Sequence, residues 1–199
     1  MERGFIERMK WTSLGWNGIN GHATRRWRAI PYRLERFRGL PRPWVANGVY
    51  ALLIGQVKGD AAVEGVDLDR WYAEAITGIS RYGLPIMFRR HPVAVMHGQF
   101  DKPTGAQILE NALAEAIEGA AVVVTFNSNT GVDSLLAGRP TIARDKGSMA
   151  YGIAASDWKM QDRPDRQAWA EMLASSQFSL EEIRSGYAWE IVKDSAPLQ

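Results

Sequence analysis

From residue 49 onward, short apolar runs alternate with longer stretches of helical period. The runs at 49–54, 85–89, 121–126 and 141–143 are almost continuously apolar, the pattern of strands covered on both faces. Between the first two, 69–82 repeats apolar side chains at Trp71, Ala75, Ile79 and Tyr82, which share one face of a helix. Between the second and third, 104–118 does the same through Ile108, Leu109, Ala112, Leu113, Ala116 and Ile117. The last crossover, 130–137, is short and stops at Gly138 before Arg139-Pro140. The resulting order, β-α-β-α-β-α-β, is how a parallel sheet with helical crossovers appears in sequence, so the predicted fold class is α/β.

The two ends read differently. Helices are predicted at 166–174 and 179–186, the second secured by Ser179 and Glu182, which have the spacing of a capping box. Near the N-terminus, Gly15, Gly18 and Gly21 with Asn17 and Asn20 break any helix. A surface helix is predicted over 25–38, with Trp27, Ile30, Leu34 and Phe37 as its apolar stripe, and 39–43 reads as an extended connector. These patterns place a boundary at 48, dividing a basic segment, 1–48, from a ligand-binding domain with C-terminal helices, 49–199.

Composition removes several classes. The chain has 199 residues, 46% hydrophobic and 23% charged, enough to bury about 70% of its unfolded surface in a folded core. The absence of cysteine excludes a disulfide framework, a thiolate nucleophile and a Cys-ligated zinc site. The histidines, His22, His91 and His97, lack the spacing that puts two imidazoles on one helix face, so no metal site is predicted. The apolar runs fall well short of the ~20 residues of a membrane span. Glu2, Arg3, Glu7 and Arg8 are not the start of a secretory leader, and a cytoplasmic protein is expected.

Charge is unevenly distributed. The net charge is +2, yet residues 1–50 hold ten Arg or Lys against three Glu, a local +7. With Trp11, Trp16, Trp27, Tyr32, Phe37 and Trp44 interleaved, this segment has the residue types that hold a polyanion such as nucleic acid. The same spacing also fits a solvated helix face with amphipathic packing.

In an open parallel sheet, ligands bind beyond the carboxyl ends of the strands, and here those ends are polar. Gly55 and Gln56 follow the first strand; Arg89, Arg90 and His91 follow the second. Asn127, Ser128, Asn129, Thr130 and Gly131 follow the third, and Asp145, Gly147, Ser148 and Tyr151 the fourth. Hydroxyls and amides at a strand-to-helix turn suit a phosphate, and Asp133, one turn into the helix, suits a ribose diol. Arg89 and Arg90 would neutralise a pyrophosphate, with His91 donating to a leaving group. The competing readings are a helix cap by Asn129 or Thr130 and ion pairs for the arginines. His22 and His97 are expected to be surface or structural. No P-loop, Gly-x-Gly-x-x-Gly turn or Gly-x-Ser-x-Gly elbow is present.

The segment from Asn127 to Pro140, followed by Asp145 to Tyr151, resembles the nucleotide-sugar half of GT-B glycosyltransferases, above all the capsule-polysaccharide-synthesis type and its phage-encoded relatives. Arg89-Arg90-His91-Pro92 is similar to the element that precedes it in that group, and 2–6 with 11–21, and 177–183 with Gly186 and Trp189, also look like the phage-type members. The resemblance implies a Rossmann-like parallel sheet with flanking helices, and a nucleotide diphosphate sugar as donor rather than a bound cofactor. Ser128, Asn129 and Thr130 would hold the donor phosphates, Arg89 and His91 would sit by the pyrophosphate, and Asp133 stands where such enzymes often place a Glu. It further implies that 1–48 is the remnant of, or link to, an acceptor domain, supplied otherwise by a second copy or a partner chain. The acceptor would be a glycan or a hydroxymethylated DNA base, in a bacterium or a phage-infected cell. A non-catalytic module binding a nucleotide or nucleic acid is the alternative.

Overall fold

The computed structural model describes residues 1–25, 28–45, 47–159 and 163–193. In chain order the strands are β1 (Glu2–Arg3), β2 (Thr12–Ser13), β3 (Tyr50–Ile54), β4 (Ile86–Arg89), β5 (Gln107–Ile108), β6 (Ala120–Thr125), β7 (Thr141–Ala143) and β8 (Gln177–Phe178). The α-helices are α1 (Leu68–Ser80), α2 (Pro92–Met96), α3 (Leu113–Glu118), α4 (Thr130–Leu136), α5 (Gln167–Ser175), α6 (Leu180–Arg184) and α7 (Tyr187–Val192). They form two compact units, one of residues 43–164 and one joining 1–42 to 165–199.

The 43–164 unit contains a five-stranded sheet in the order β5-β4-β3-β6-β7, parallel throughout. Alternation within β3 and β6 decides which layer each side chain enters. Ala51, Leu53, Val122 and Val124 point into a core built with Trp71, Ala75 and Ile79 of α1. Leu52, Ile54 and Val123 point the other way, against Ala116 and Ile117 of α3. Asp67 caps α1 by accepting from the Arg70 amide at 3.0 Å.

The predicted strands all form, within a residue or so of their expected ends. The long helix expected over 104–118 does not. Gly105, at φ +90°, interrupts it, and Gln107–Ile108 instead pairs with Met87 and Phe88 as the edge strand β5, leaving only α3 helical. Ile108 and Leu109 had matched a helical period, but a short apolar run carries too few positions to distinguish the two.

In the second unit, β1, β2 and β8 form a small antiparallel sheet with Thr12 opposite Phe178. The helix predicted over 25–38 contracts to a 3₁₀ turn, Pro31–Arg36, because Pro31 restricts the residue before it and starts the turn. Of its expected stripe, Leu34 and Phe37 are buried, Ile30 is half-buried and Trp27 lies outside the described residues. Arg33, expected on a solvated face, is fully buried. Both of its terminal nitrogens reach Glu182 at 3.1 Å, while its guanidinium lies 4.7 Å over Phe178 and also donates to the Gln177 carbonyl. The C-terminal helices therefore pack with the N-terminal segment, unlike the expected 49–199 domain. The sequence patterns of α5 to α7 show apolar faces but do not say what those faces cover.

Candidate functional site

The sheet order makes β3 central: the chain runs outward from it through β4 to β5, then returns to its other side with β6 and β7. Strand order reverses between β3 and β6, and open α/β sheets bind ligands outside the carboxyl ends at such a point. Gly55 and Gln56 leave β3 there, and Asn127 leaves β6.

These loops are joined by side chains. Gln56 Nε2 donates to Asn127 Oδ1 at 2.7 Å, and the Asn127 amide returns a bond to Gln56 Oε1 at 3.1 Å. Asn127, only 6% exposed, also donates through Nδ2 to Asp145 at 2.9 Å and to the Ala62 carbonyl at 2.5 Å. Gln56, Asn127 and Asp145, all expected at the site, are thus brought together from three strand ends. The Gln56 amide donates to the Tyr72 hydroxyl at 2.8 Å. Burial pushes the Tyr72 phenol up to about 12, so it stays protonated.

The turn into α4 is self-contained. The Ser128 amide donates to Thr125 Oγ1 at 3.0 Å, the Thr130 amide to Ser128 Oγ at 3.3 Å, and the Gly131 amide to the Ser128 carbonyl at 3.0 Å. Asn129 occupies the cap position but its side chain makes no capping bond; Nδ2 faces Asp133 at 3.5 Å instead. Gly131 is needed for close approach, since a Cβ there would lie 3.0 Å from that of Ala150 and 3.8 Å from Ser148 Oγ. The loop after β7 therefore sits against the start of α4. In it Gly147 and Ser148 are buried, the Tyr151 amide donates to the Ser148 carbonyl at 3.0 Å, and Tyr151 is half-buried.

Beyond β4, Arg89 Nε donates to the Asn111 carbonyl at 3.2 Å. Arg90 forms the ion pair weighed for it, with Glu110 at 2.8 Å, and donates to the Phe100 carbonyl at 3.3 Å. His91 caps α2, its Nδ1 accepting from the Val93 amide at 3.2 Å. Gly55, Gln56, Arg90 and His91 line a cavity of about 270 Å³. Arg89 instead lines a smaller one of about 180 Å³ with Leu109 and Glu110.

The larger cavity includes groups that the sequence did not single out: Lys58, Asp69, Tyr72, Gln99 and Lys102. Lys58 follows β3 and could have been selected; Tyr72 was hidden in a helical apolar pattern, and nothing in the sequence distinguished Gln99 or Lys102. Lys58 Nζ meets Asp69 at 2.7 Å, which raises its pKa by hydrogen bonding. Of the carboxylates available as a base, Glu2 pairs with Arg25 at 2.6 Å, Glu7 pairs with Lys10, and Asp60 accepts from the Ala62 amide. Among the described residues, no group of three or more His, Asp or Glu is arranged to hold a metal, and no helix is long and apolar enough to cross a membrane.

No protein-family model and no curated protein matches the chain. Solved structures do. The β-Kdo 2,4-transferase of KpsC from Thermosulfurimonas dismutans superposes with a TM-score of 0.54 at 16% identity, over 82% of this chain and 64% of that one. The β-Kdo 2,7-transferase of the same protein gives 0.53 at 17%, over 96% of this chain and 76% of that one. The chain shares the fold of these sugar transferases. It spans less than two thirds of the length of the first. The expected α/β architecture and likeness to glycosyltransferases thus hold at the level of fold.

Proposed function

We propose that the chain binds a nucleotide-activated sugar at the carboxyl ends of β3, β4, β6 and β7 and takes part in transferring that sugar to an acceptor hydroxyl. One observation carries this reading: at the reversal in strand order, Gln56, Asn127 and Asp145 knit three polar loops together, in a fold shared with two sugar transferases. Ser128, Asn129 and Thr130 would meet the donor phosphates, Asp133 the ribose, and Gly147, Ser148 and Tyr151 the adjoining wall. Arg89 and His91 would stabilise the departing diphosphate by charge and hydrogen bonding, the largest contribution such a site makes. The acceptor domain would come from a second copy or a partner chain, in the cytoplasm of a bacterium or phage-infected cell.

For the acceptor, a glycan is favoured over a hydroxymethylated DNA base. Arg25, Arg33 and Arg36, part of the +7 segment, are already paired with Glu2 and Glu182, which leaves less charge for a phosphate backbone.

The test is thermal unfolding against nucleoside diphosphates, their sugars and an activated Kdo, with Ser128→Ala and Arg89→Ala alongside. A ligand at about 100 times its Kd adds about 2.7 kcal/mol, and the shift should vanish in the variants. No shift with any of them overturns the reading. A non-catalytic module is the second reading, favoured by the loop amides that bond internally and the Arg90–Glu110 pair. Release of nucleotide from a donor by the purified chain excludes it.

A further inference from the structure

We infer that Asn17 is a site of self-modification, at which the folded chain loses ammonia from one of its Asn-Gly pairs and spares the other two. The pairs are Asn17-Gly18, Asn20-Gly21 and Asn47-Gly48. In such a pair the glycine nitrogen attacks the asparagine Cγ, forming a C–N bond, and the side-chain amide departs as ammonia with the glycine N–H proton. Water then opens the cyclic imide at either carbonyl and leaves an aspartate or an isoaspartate, with no change of oxidation state. Glycine permits the approach because it carries no Cβ.

Ring closure requires the asparagine's own peptide plane to turn, so the hydrogen bonds that hold its carbonyl decide which pair reacts. The Asn47 carbonyl accepts from Arg139 Nη1 at 2.9 Å, and its Oδ1 accepts from the same nitrogen at 3.4 Å. Gly48 is pressed on the neighbouring strand, where a Cβ would lie 2.0 Å from the Ala121 nitrogen. The Asn20 carbonyl accepts from Arg25 Nη1 at 2.5 Å and from the Ala23 amide at 3.2 Å, while the Asn20 amide donates to Glu2 at 2.8 Å. Arg25 is itself fixed by Glu2 at 2.6 Å. Asn17 differs from both. It is exposed, and it is the first residue beyond the bridge in which the Trp16 and Thr24 amides and carbonyls exchange bonds of 3.0 and 2.8 Å. Among the described residues, its carbonyl, its side chain and the Gly18 amide have no hydrogen-bond partner. Asn17 at φ +55° and Asn20 at φ +51° share the left-handed conformation, so anchoring separates them and backbone strain does not.

The product adds a negative charge to the loop that the Trp16–Thr24 bridge closes, and an isoaspartate also adds a main-chain carbon. Trp16 ties that loop to α7, donating through Nε1 to the Val192 carbonyl at 3.2 Å and meeting Trp189 edge to face at 6.1 Å. The inference is independent of the donor-site reading and uses none of its residues. The test incubates the whole folded chain at mildly alkaline pH, in parallel with a sample in guanidinium, and maps tryptic peptides by mass spectrometry over time. Asn17 and Asn20 share the peptide 11–25, where fragment ions tell them apart, and Asn47 lies in 39–58. In the folded chain Asn17 should react at least about tenfold faster than the other two, the factor set by the hydrogen bonds those must first break. In guanidinium the three should react at similar rates. Asn17→Asp should stop ammonia loss from the peptide 11–25 of the folded chain. A folded chain in which Asn20 or Asn47 keeps pace with Asn17, in which Asn17 is silent, or in which that peptide still loses ammonia in the variant would overturn the inference. So would a preference for Asn17 that persists in guanidinium, since the fold would then not be its cause.

Discussion

Arg33 shows what a single buried charge demands of its surroundings. It is fully buried, and Glu182 answers it with both carboxylate oxygens. The same Glu182 accepts from the Ser179 amide at 2.9 Å and from Arg36 at 2.9 Å, so the capping box of α6 also serves as a counterion. Burial pushes the Glu182 carboxyl up, but the bonds from Arg33, Ser179 and Arg36 outweigh it and hold the group below the usual carboxylate range. Arg33→Met removes this carboxylate's strongest partner but leaves it Arg36 and the Ser179 amide, and should cost about 1–3 kcal/mol, read by denaturant unfolding. Because the folded-state pKa is depressed, the stabilisation is complete above the ordinary carboxylate range and is lost as pH falls through the folded value. Glu182→Gln should therefore flatten the acid side of a profile of melting temperature against pH. An unchanged slope would deny the group that role.

At the scale of elements, α1 shows where propensity and packing disagree. Gly78 lies in the helix interior, where alanine is ordinarily favoured by about 1 kcal/mol. A Cβ at that position would overlap the Trp158 ring, which is itself stacked under Arg144 at 4.7 Å. Gly78→Ala is expected to destabilise by about 1–3 kcal/mol, the reverse of the helix scale, as overpacking does in a filled core. Calorimetric melting gives the sign directly. The same competition explains β5: a helical apolar period in 104–118 yielded to pairing with β4 once Gly105 broke the helix.

At the scale of the molecule, the loops act together because one amide side chain joins them. Asn127→Ala removes the partner of Gln56 and of Asp145 at once, and should cost about 1–3 kcal/mol for buried polar groups left unmatched. If the donor lies on these loops, the variant also loses the melting shift given by a nucleotide sugar. Retention of the full shift would move the donor elsewhere. Gln56 and Asn127 were legible as strand-end polar residues, and so were Arg90 and His91. Their mutual arrangement was not, nor was which carboxylate, Glu110, would pair with Arg90.

The sequence by itself determined the four main strands, the helices α1 and α4, the cap of α6 and the parallel α/β class. Each rests on contacts of short range or on a face pattern that repeats within a dozen residues. Only the tertiary structure decided that the described C-terminal residues, 165–193, pack with the N-terminal segment, that Arg33 is buried against Glu182, and that Lys58, Tyr72 and Gln99 share a cavity. A periodic pattern says that a face will be covered and is silent on which distant segment covers it. That choice is made by long-range packing.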